Sequence, residues 1–321
     1  MLERELATSV RQTLAYFDLF SMPLTVEECF RFLWQPPAVG FEAFRNFLVQ
    51  QTERGDTQLC EEQSGYYFLP GRAELVESRR RSTVPSERLF AVGRRAARLI
   101  AWVPFLRAIF VCNSVGAETA TSQSDIDFLI IASPRRLWLV RFFCNVILRL
   151  AGLRTYGEKT AGRVCLSFFL DSENLDLSAW RVASDDVHFA YWLLQMLPLY
   201  DPEVNYGRFL TANQWARAFT PYAGGHHRVP PIAARSTEPG ILGRIVKKIG
   251  EAFWRGAYGT MLENQFKQAQ LLKIPFSVRE AARRGDWGVV IASGILKLHE
   301  RDTRREVRRQ WLKKVKSLCV T

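Results

Sequence analysis

Two carboxylates one residue apart, Asp125 and Asp127, are the residues of this 321-residue chain whose type and spacing point most directly to chemistry. They sit in Ser124-Asp125-Ile126-Asp127, at the head of the apolar run 126–132. Strand periodicity of two puts both acids on one face, with Ile126 and Phe128 opposite. Carboxylates held side by side repel, and a divalent cation relieves the repulsion by supplying charge for both. Mg²⁺ keeps several waters and takes one or two protein carboxylates together with substrate phosphates, so the pair suits a metal–triphosphate complex. Ten residues before Ser124 lies Ser114, in the turn Asn113-Ser114-Val115-Gly116 that ends the apolar run 108–112. Backbone N–H groups exposed in such a turn suit phosphate oxygens. Ser114 has no His near it in sequence and no Gly-x-Ser-x-Gly elbow around it, which argues against a hydrolase nucleophile. Two acids capping a turn before a buried strand are the alternative reading of the same residues.

The elements that must position this constellation follow from periodicity. The apolar run 108–112 and the segment 126–132 read as strands, 134–150 as a helix, 164–170 as a third strand, and 185–197 as a helix ended by Pro198. Upstream, Leu6, Val10, Leu14 and Phe17 at helical spacing predict a helix over 2–20. Thr25 with Glu28 forms a capping box for a helix over 26–34, and Phe44, Phe47 and Leu48 mark a third over 41–52. Strands over 57–60 and 66–69 around a polar turn then complete three helices and a hairpin, the winged-helix plan. A basic helical stretch follows over 72–101, and a Pro/Gly-rich segment over 226–240 containing His226 and His227 reads as a linker. The remainder predicts one long helix over 241–273, a strand over 288–293 and a strongly basic helix over 299–317. His299 and Glu300 fall at the start of that helix, where acidic residues favour the dipole.

Composition bounds the functional classes. Forty-four Lys and Arg against 32 Asp and Glu leave a net charge of +12, which favours anionic partners. The 48% hydrophobic content excludes a disordered or fibrous chain. The six cysteines contain no Cys-x-x-Cys pair, so neither a zinc module nor a disulfide framework is expected, and Cys112 and Cys165 read as small core residues. The charged N-terminus and the absence of any apolar run long enough for a bilayer predict a cytoplasmic protein with no transmembrane segment.

The stretch 109–131 resembles the DNA polymerase beta-like nucleotidyltransferase superfamily, whose signature is a strand, Gly-Ser, a spacer of this length, and then Asp-hydrophobic-Asp/Glu-hydrophobic. The α/β plan out to Asp171 supports the resemblance. The wider chain also resembles bacterial nucleotidyltransferase-domain proteins with an N-terminal winged helix. That likeness lies in Leu-Trp-Leu-Val-Arg at 137–141, Ala-Asn-Gln-Trp at 212–215 and Leu-Lys-Leu-His-Glu at 296–300 with Asp302. The resemblance implies that Asp125 and Asp127 bind catalytic Mg²⁺, that Asn113, Ser114 and Ser124 contact nucleotide, and that Asp171 is the available third carboxylate. Two departures stand out. Asn113 replaces the usual Gly, and Ser167 occupies the position where the superfamily places its third carboxylate. Asp171 lies four residues beyond it, roughly 13 Å along an extended strand.

The expected fold class is therefore α+β, in four parts. They are a winged helix (1–82), a basic helical connector (83–103), a small α/β nucleotidyltransferase-like domain (104–225), and a linker with a basic helical C-terminal region (226–321). The leading functional expectation is a Mg²⁺-dependent transferase moving a nucleoside monophosphate from an NTP to a nucleic-acid or protein acceptor. The alternative is a non-catalytic nucleic-acid-binding or nucleotide-sensing protein on the same scaffold, with Arg45 and the arginines over 72–98 contacting phosphates. A third reading is peripheral membrane attachment through 135–154 or 241–248, which mix apolar and basic residues.

Overall fold

A computed structural model describes residues 1–53, 58–223, 237–285, 288–298 and 302–318. The chain begins with α1 (Leu2–Asp18), whose Leu6, Val10, Leu14 and Phe17 are buried at the expected spacing. Ser21, at φ 53°, and Pro23 turn the chain into α2 (Val26–Arg31). The Thr25 hydroxyl accepts from the Glu28 N–H, and the Glu28 carboxylate accepts from the Thr25 N–H, completing the capping box. α2 stops three residues short of the expected end. After α3 (Phe41–Thr52) come β1 (Glu61–Gln63) and β2 (Tyr66–Phe68). The hairpin therefore closes on Ser64-Gly65, both at positive φ, and not on the longer turn expected from the sequence. Two residues of that conformation match the twist of an antiparallel pair. Residue 57, the expected start of the first strand, lies outside the described residues. Leu24 bridges Tyr67 beside the hairpin.

The basic stretch forms one helix, α4 (Glu74–Ile100), with Pro85 inside it. It is no free connector. Leu89, Phe90, Ala96, Ala97 and Ile100 share a core with the sheet, and Arg79, buried, pairs with Glu28 and Glu118. Arg80, Arg81, Arg88, Arg95 and Arg98 lie on its solvated side.

Next come β3 (Leu106–Cys112), the single turn α5 (Asn113–Gly116), β4 (Ile126–Ala132), α6 (Leu137–Leu150) and β5 (Val164–Asp171). α7 (Val187–Leu194) stops three residues short of the expected end at 197, and β6 (Leu197–Tyr200) takes Leu197 and the residues after it. A continuous apolar run does not distinguish helix from buried strand, and Pro198 is tolerated because β6 is an edge strand. α8 (Asn205–Ala212) and α9 (Gln214–Phe219) follow, with buried Asn213 between them bonding Leu175 and Leu177 backbone. The linker positions His226 and His227 lie outside the described residues.

The C-terminal region is not only helical. The long helix expected there is two, α10 (Ile241–Phe253) and α11 (Ala257–Lys273), broken at Trp254–Gly256, and α12 (Phe276–Arg283) follows. Then β7 (Val289–Ala292) and β8 (Ile295–Leu298) form a hairpin around Gly294, at φ 74°. α13 (Arg304–Leu318) is the last described element; residues 299–301, including His299 and Glu300, lie outside the described residues.

Strands β3 to β8 form one mixed sheet in the order β6-β3-β4-β5-β8-β7. β4 and β5 are parallel, joined by the α6 crossover, and the remaining neighbours are antiparallel. Alternation separates two faces. Ile109, Val111, Ile126, Phe128 and Ile130 pack towards α4 and α6. Ala108, Phe110, Cys112, Leu129 and Ile131 pack in the other core with α7, α1–α3 and α13. The N-terminal helices thus share a core with the sheet. No described helix is long and apolar enough to cross a membrane.

Candidate functional site

Asp127 belongs to the α7 face of the sheet, alternating with Ile126 and Phe128 on the other. It pairs with Cys112 on β3 and with Cys165 on β5. The β4–β5 register shifts after this point, so Leu166 and Ser167 both oppose Phe128. That bulge, one extra residue on β5, changes which side chains share a face. Before it, Cys165 sits on the face of Asp127. Beyond it, Phe168 and Leu170 take that face.

The result is a cluster in which carboxylate oxygens of Asp125 and Asp127 and the Cys165 sulfur all lie within 4.8 Å of one another. Asp127 is buried, and Asp125 and Cys165 are partly buried. Burial, then the neighbouring Asp125 charge, pushes the Asp127 carboxyl up to about 6. Asp125 is also raised by burial, with the Arg154 guanidinium opposing. Burial and Asp127 push the Cys165 thiol up to about 12, so at neutral pH it is an S–H that hydrogen-bonds the carboxylates. A buried acid beside a partly buried one, with no cation bonded directly to Asp127 among the described residues, forms an electrostatically incomplete site.

Asn113 is the second half of the arrangement. It takes φ 55°, a left-handed conformation that Asn tolerates better than most residues. Its amide nitrogen donates to Asp127 Oδ2 at 2.7 Å, and its amide oxygen accepts from the Trp192 indole N–H at 2.7 Å. The indole has no acceptor, so this bond sets the amide's orientation and aims its NH₂ at the carboxylate. The Asn side chain thus becomes a carboxylate-orienting group.

Ser114 and Asn113 form one edge of a cavity of about 400 Å³. Its walls are largely aromatic: Phe168 stacks on Trp192, and Phe20 stacks on His188. Burial lowers His188 to about 4, leaving a neutral ring whose Nδ1 is 2.8 Å from Tyr16 Oη. Lys297 and Arg304 also line the cavity, each bonded to Asp302. α1, α7, β8 and the start of α13 all contribute, so the cavity is built from both ends of the chain.

The other expected site residues fare differently. Ser124 Oγ accepts from the Thr121 N–H, and its carbonyl accepts from Gly162; it shapes the turn that delivers Asp125 and does not line the cavity. Asp171 is not brought to the pair. It is in register with Ala132, at the far end of β4, and beyond the bulge it falls on the opposite face from Cys165. Its carboxylate accepts from the Glu173 N–H and the Asn174 amide, closing a turn. Ser167 is buried in the bulge. Cys165, expected to be a small core residue, is instead a partly buried member of the acid cluster, and Trp192 is a participant that sequence reading did not single out. Cys165 occupies the strand expected to hold a third ligand, and only the register places it opposite Asp127. Comparison of the chain with protein-family models, with curated proteins and with solved structures gave no match.

Proposed function

We propose that this chain is a nucleotidyltransferase that moves a nucleoside monophosphate from an NTP to an acceptor hydroxyl or phosphate. The observation that carries the reading is the convergence of Asp125 and Asp127 beside the Asn113–Ser114 turn, with Asn113 bonded directly to Asp127. Asp125 and Asp127 would hold Mg²⁺, which supplies positive charge to both carboxylates and to the triphosphate. Two hard oxygen donors suit that ion, while the protonated Cys165 hydrogen-bonds and orients them. Asn113 keeps the Asp127 carboxylate in one rotamer. Ser114, at the cavity edge, would donate to a phosphate oxygen. The aromatic cavity beyond it accommodates a planar group of the nucleotide or of the acceptor, excluding water from that side.

Incubation of the full chain with radiolabelled NTP, Mg²⁺ and candidate nucleic-acid and protein acceptors tests this. Label transfer is expected, and Asp125→Asn should reduce it by at least about 100-fold while leaving the circular dichroism spectrum unchanged. Equal transfer by the variant and the parent chain would sink the proposal.

One observation favours a second reading: the position facing Asp127 on β5 carries a thiol and not a carboxylate. A nucleotide-binding, non-transferring site would need no third acid. Mg²⁺-dependent NTP binding without label transfer, together with nucleic-acid affinity that falls steeply with salt, would select this reading.

A further inference from the structure

α10 carries its apolar side chains outward. Ile241, Leu242, Ile245, Val246, Ile249 and Phe253 recur at the three- and four-residue spacing that ordinarily marks a core-facing stripe. All six are exposed, Leu242 at 79%, Ile249 at 64% and Phe253 at 67%. The helix docks by its opposite side. A Cβ on Gly250 would lie 2.5 Å from Pro104 Cγ, too close without a shift, and one on Gly243 would press against Trp102 Cβ at 3.3 Å, so small residues favour this approach. Between them Lys247 is buried, donating to the Ala101 and Leu106 carbonyls and to Tyr200 Oη. One turn on, Glu251 accepts from the Phe105 N–H and from Arg107. These contacts fix the helix's rotation, and turning the stripe inward would break all of them.

An apolar stripe displayed this way marks an interaction surface, and its charged border indicates which kind. Arg244 and Lys248 are exposed along one edge of the stripe, and Arg255 is exposed just past the helix end. The helix's sole acid, Glu251, is on the docked side. On a chain of net charge +12, an apolar face with a basic border complements an anionic bilayer, with the helix lying in the interface plane. We infer that α10 is a docking helix for anionic membranes, inserting Ile245, Ile249 and Phe253 among the acyl chains and placing Arg244 and Lys248 at headgroup phosphates. The inference stands independently of the nucleotidyltransferase reading.

Co-sedimentation of the full chain with vesicles tests it. Vesicles of phosphatidylcholine alone would be compared with phosphatidylcholine mixed with phosphatidylglycerol, at low and high salt. The parent chain should pellet with the phosphatidylglycerol vesicles and be released by salt. The double variants Ile245→Glu/Ile249→Glu and Arg244→Glu/Lys248→Glu should each bind at least about ten-fold more weakly. These positions are exposed, so unchanged melting temperatures are expected to show that the fold is kept. Failure of the parent chain to pellet, or pelleting of the isoleucine variant equal to the parent, would overturn the inference. So would a dimer in analytical ultracentrifugation that the isoleucine variant abolishes, with no vesicle binding, which would assign the face to a second copy of the chain.

Discussion

Asp127 carries a charge at neutral pH in a place that disfavours it. Burial and the adjacent Asp125 raise its carboxyl to about 6, so between about pH 4 and pH 6 the folded chain holds a proton that the unfolded chain has released. Raising the pH through that window therefore lowers stability when no metal is bound. Asp127→Asn removes the effect. In EDTA at pH 7 it should be more stable than the parent chain by up to about 3 kcal/mol, with the two converging near pH 4. Urea denaturation at the two pH values measures this, and an Asn variant less stable at pH 7 would contradict it. The same substitution should abolish label transfer, because the acid that weakens the metal-free fold is the one proposed to hold the ion. Affinity for Mg²⁺ should likewise fall as the pH drops through about 6, since the carboxylate must be unprotonated to bind.

The single turn α5 depends on backbone fit more than on side-chain chemistry. Gly116 lets it pass close to two main-chain oxygens: a Cβ there would lie 3.0 Å from both the Val111 and Gln195 carbonyls. Neither can swing aside as a side chain would. Gly116→Ala should therefore lower stability by about 1–3 kcal/mol, measured by urea denaturation. It should also weaken label transfer, because Asn113 begins the same turn; unchanged stability and activity would show that α5 yields freely. β5 makes a related point. Its register sets Cys165 opposite Asp127, and its bulge turns Asp171, already at the far end of β4, to the other face, although every residue of the strand is plain in the sequence. β4 was legible in full, since its apolar run starts at the acid pair. β6 was not, because only Gln195 and Met196 separate its apolar residues from those of α7.

Both ends of the chain meet at molecular scale. Trp311 on α13 is buried, donates its indole N–H to the Gln12 carbonyl and lies edge-on to Trp34. Lys314 bonds Asp18, and Arg308 pairs with Asp185. Much of the basic helix's inner charge is therefore matched internally, while Arg305, Arg309, Lys313 and Lys316 remain on its outer side. Because α1–α3, α13 and one face of the sheet share a core, they should unfold together. Trp311→Ala should destabilise the whole chain by about 3–5 kcal/mol and preserve a single calorimetric transition. Separate melting of the N-terminal helices would show that the shared core does not couple them. The cavity draws its walls from the same junction, so the variant should also weaken any ligand held there.

The sequence by itself determined the local facts: the helices and hairpin of the first 70 residues in outline, the strand that begins at Asp125-Ile126-Asp127, and the turn at Asn113. Each depends on periodicity, capping or a tolerated backbone angle within a few residues. The tertiary structure alone decided what depends on register and on distant contact. Register set Cys165 and not a carboxylate opposite Asp127, an indole from α7 set the Asn113 amide, and the C-terminal hairpin joined the sheet beside β5. It also turned the apolar face of α10 outward, because close packing at Gly243 and Gly250 and the buried Lys247 ammonium hold the opposite face against the body. Periodicity identifies a helix's apolar side; only packing decides which side meets the protein.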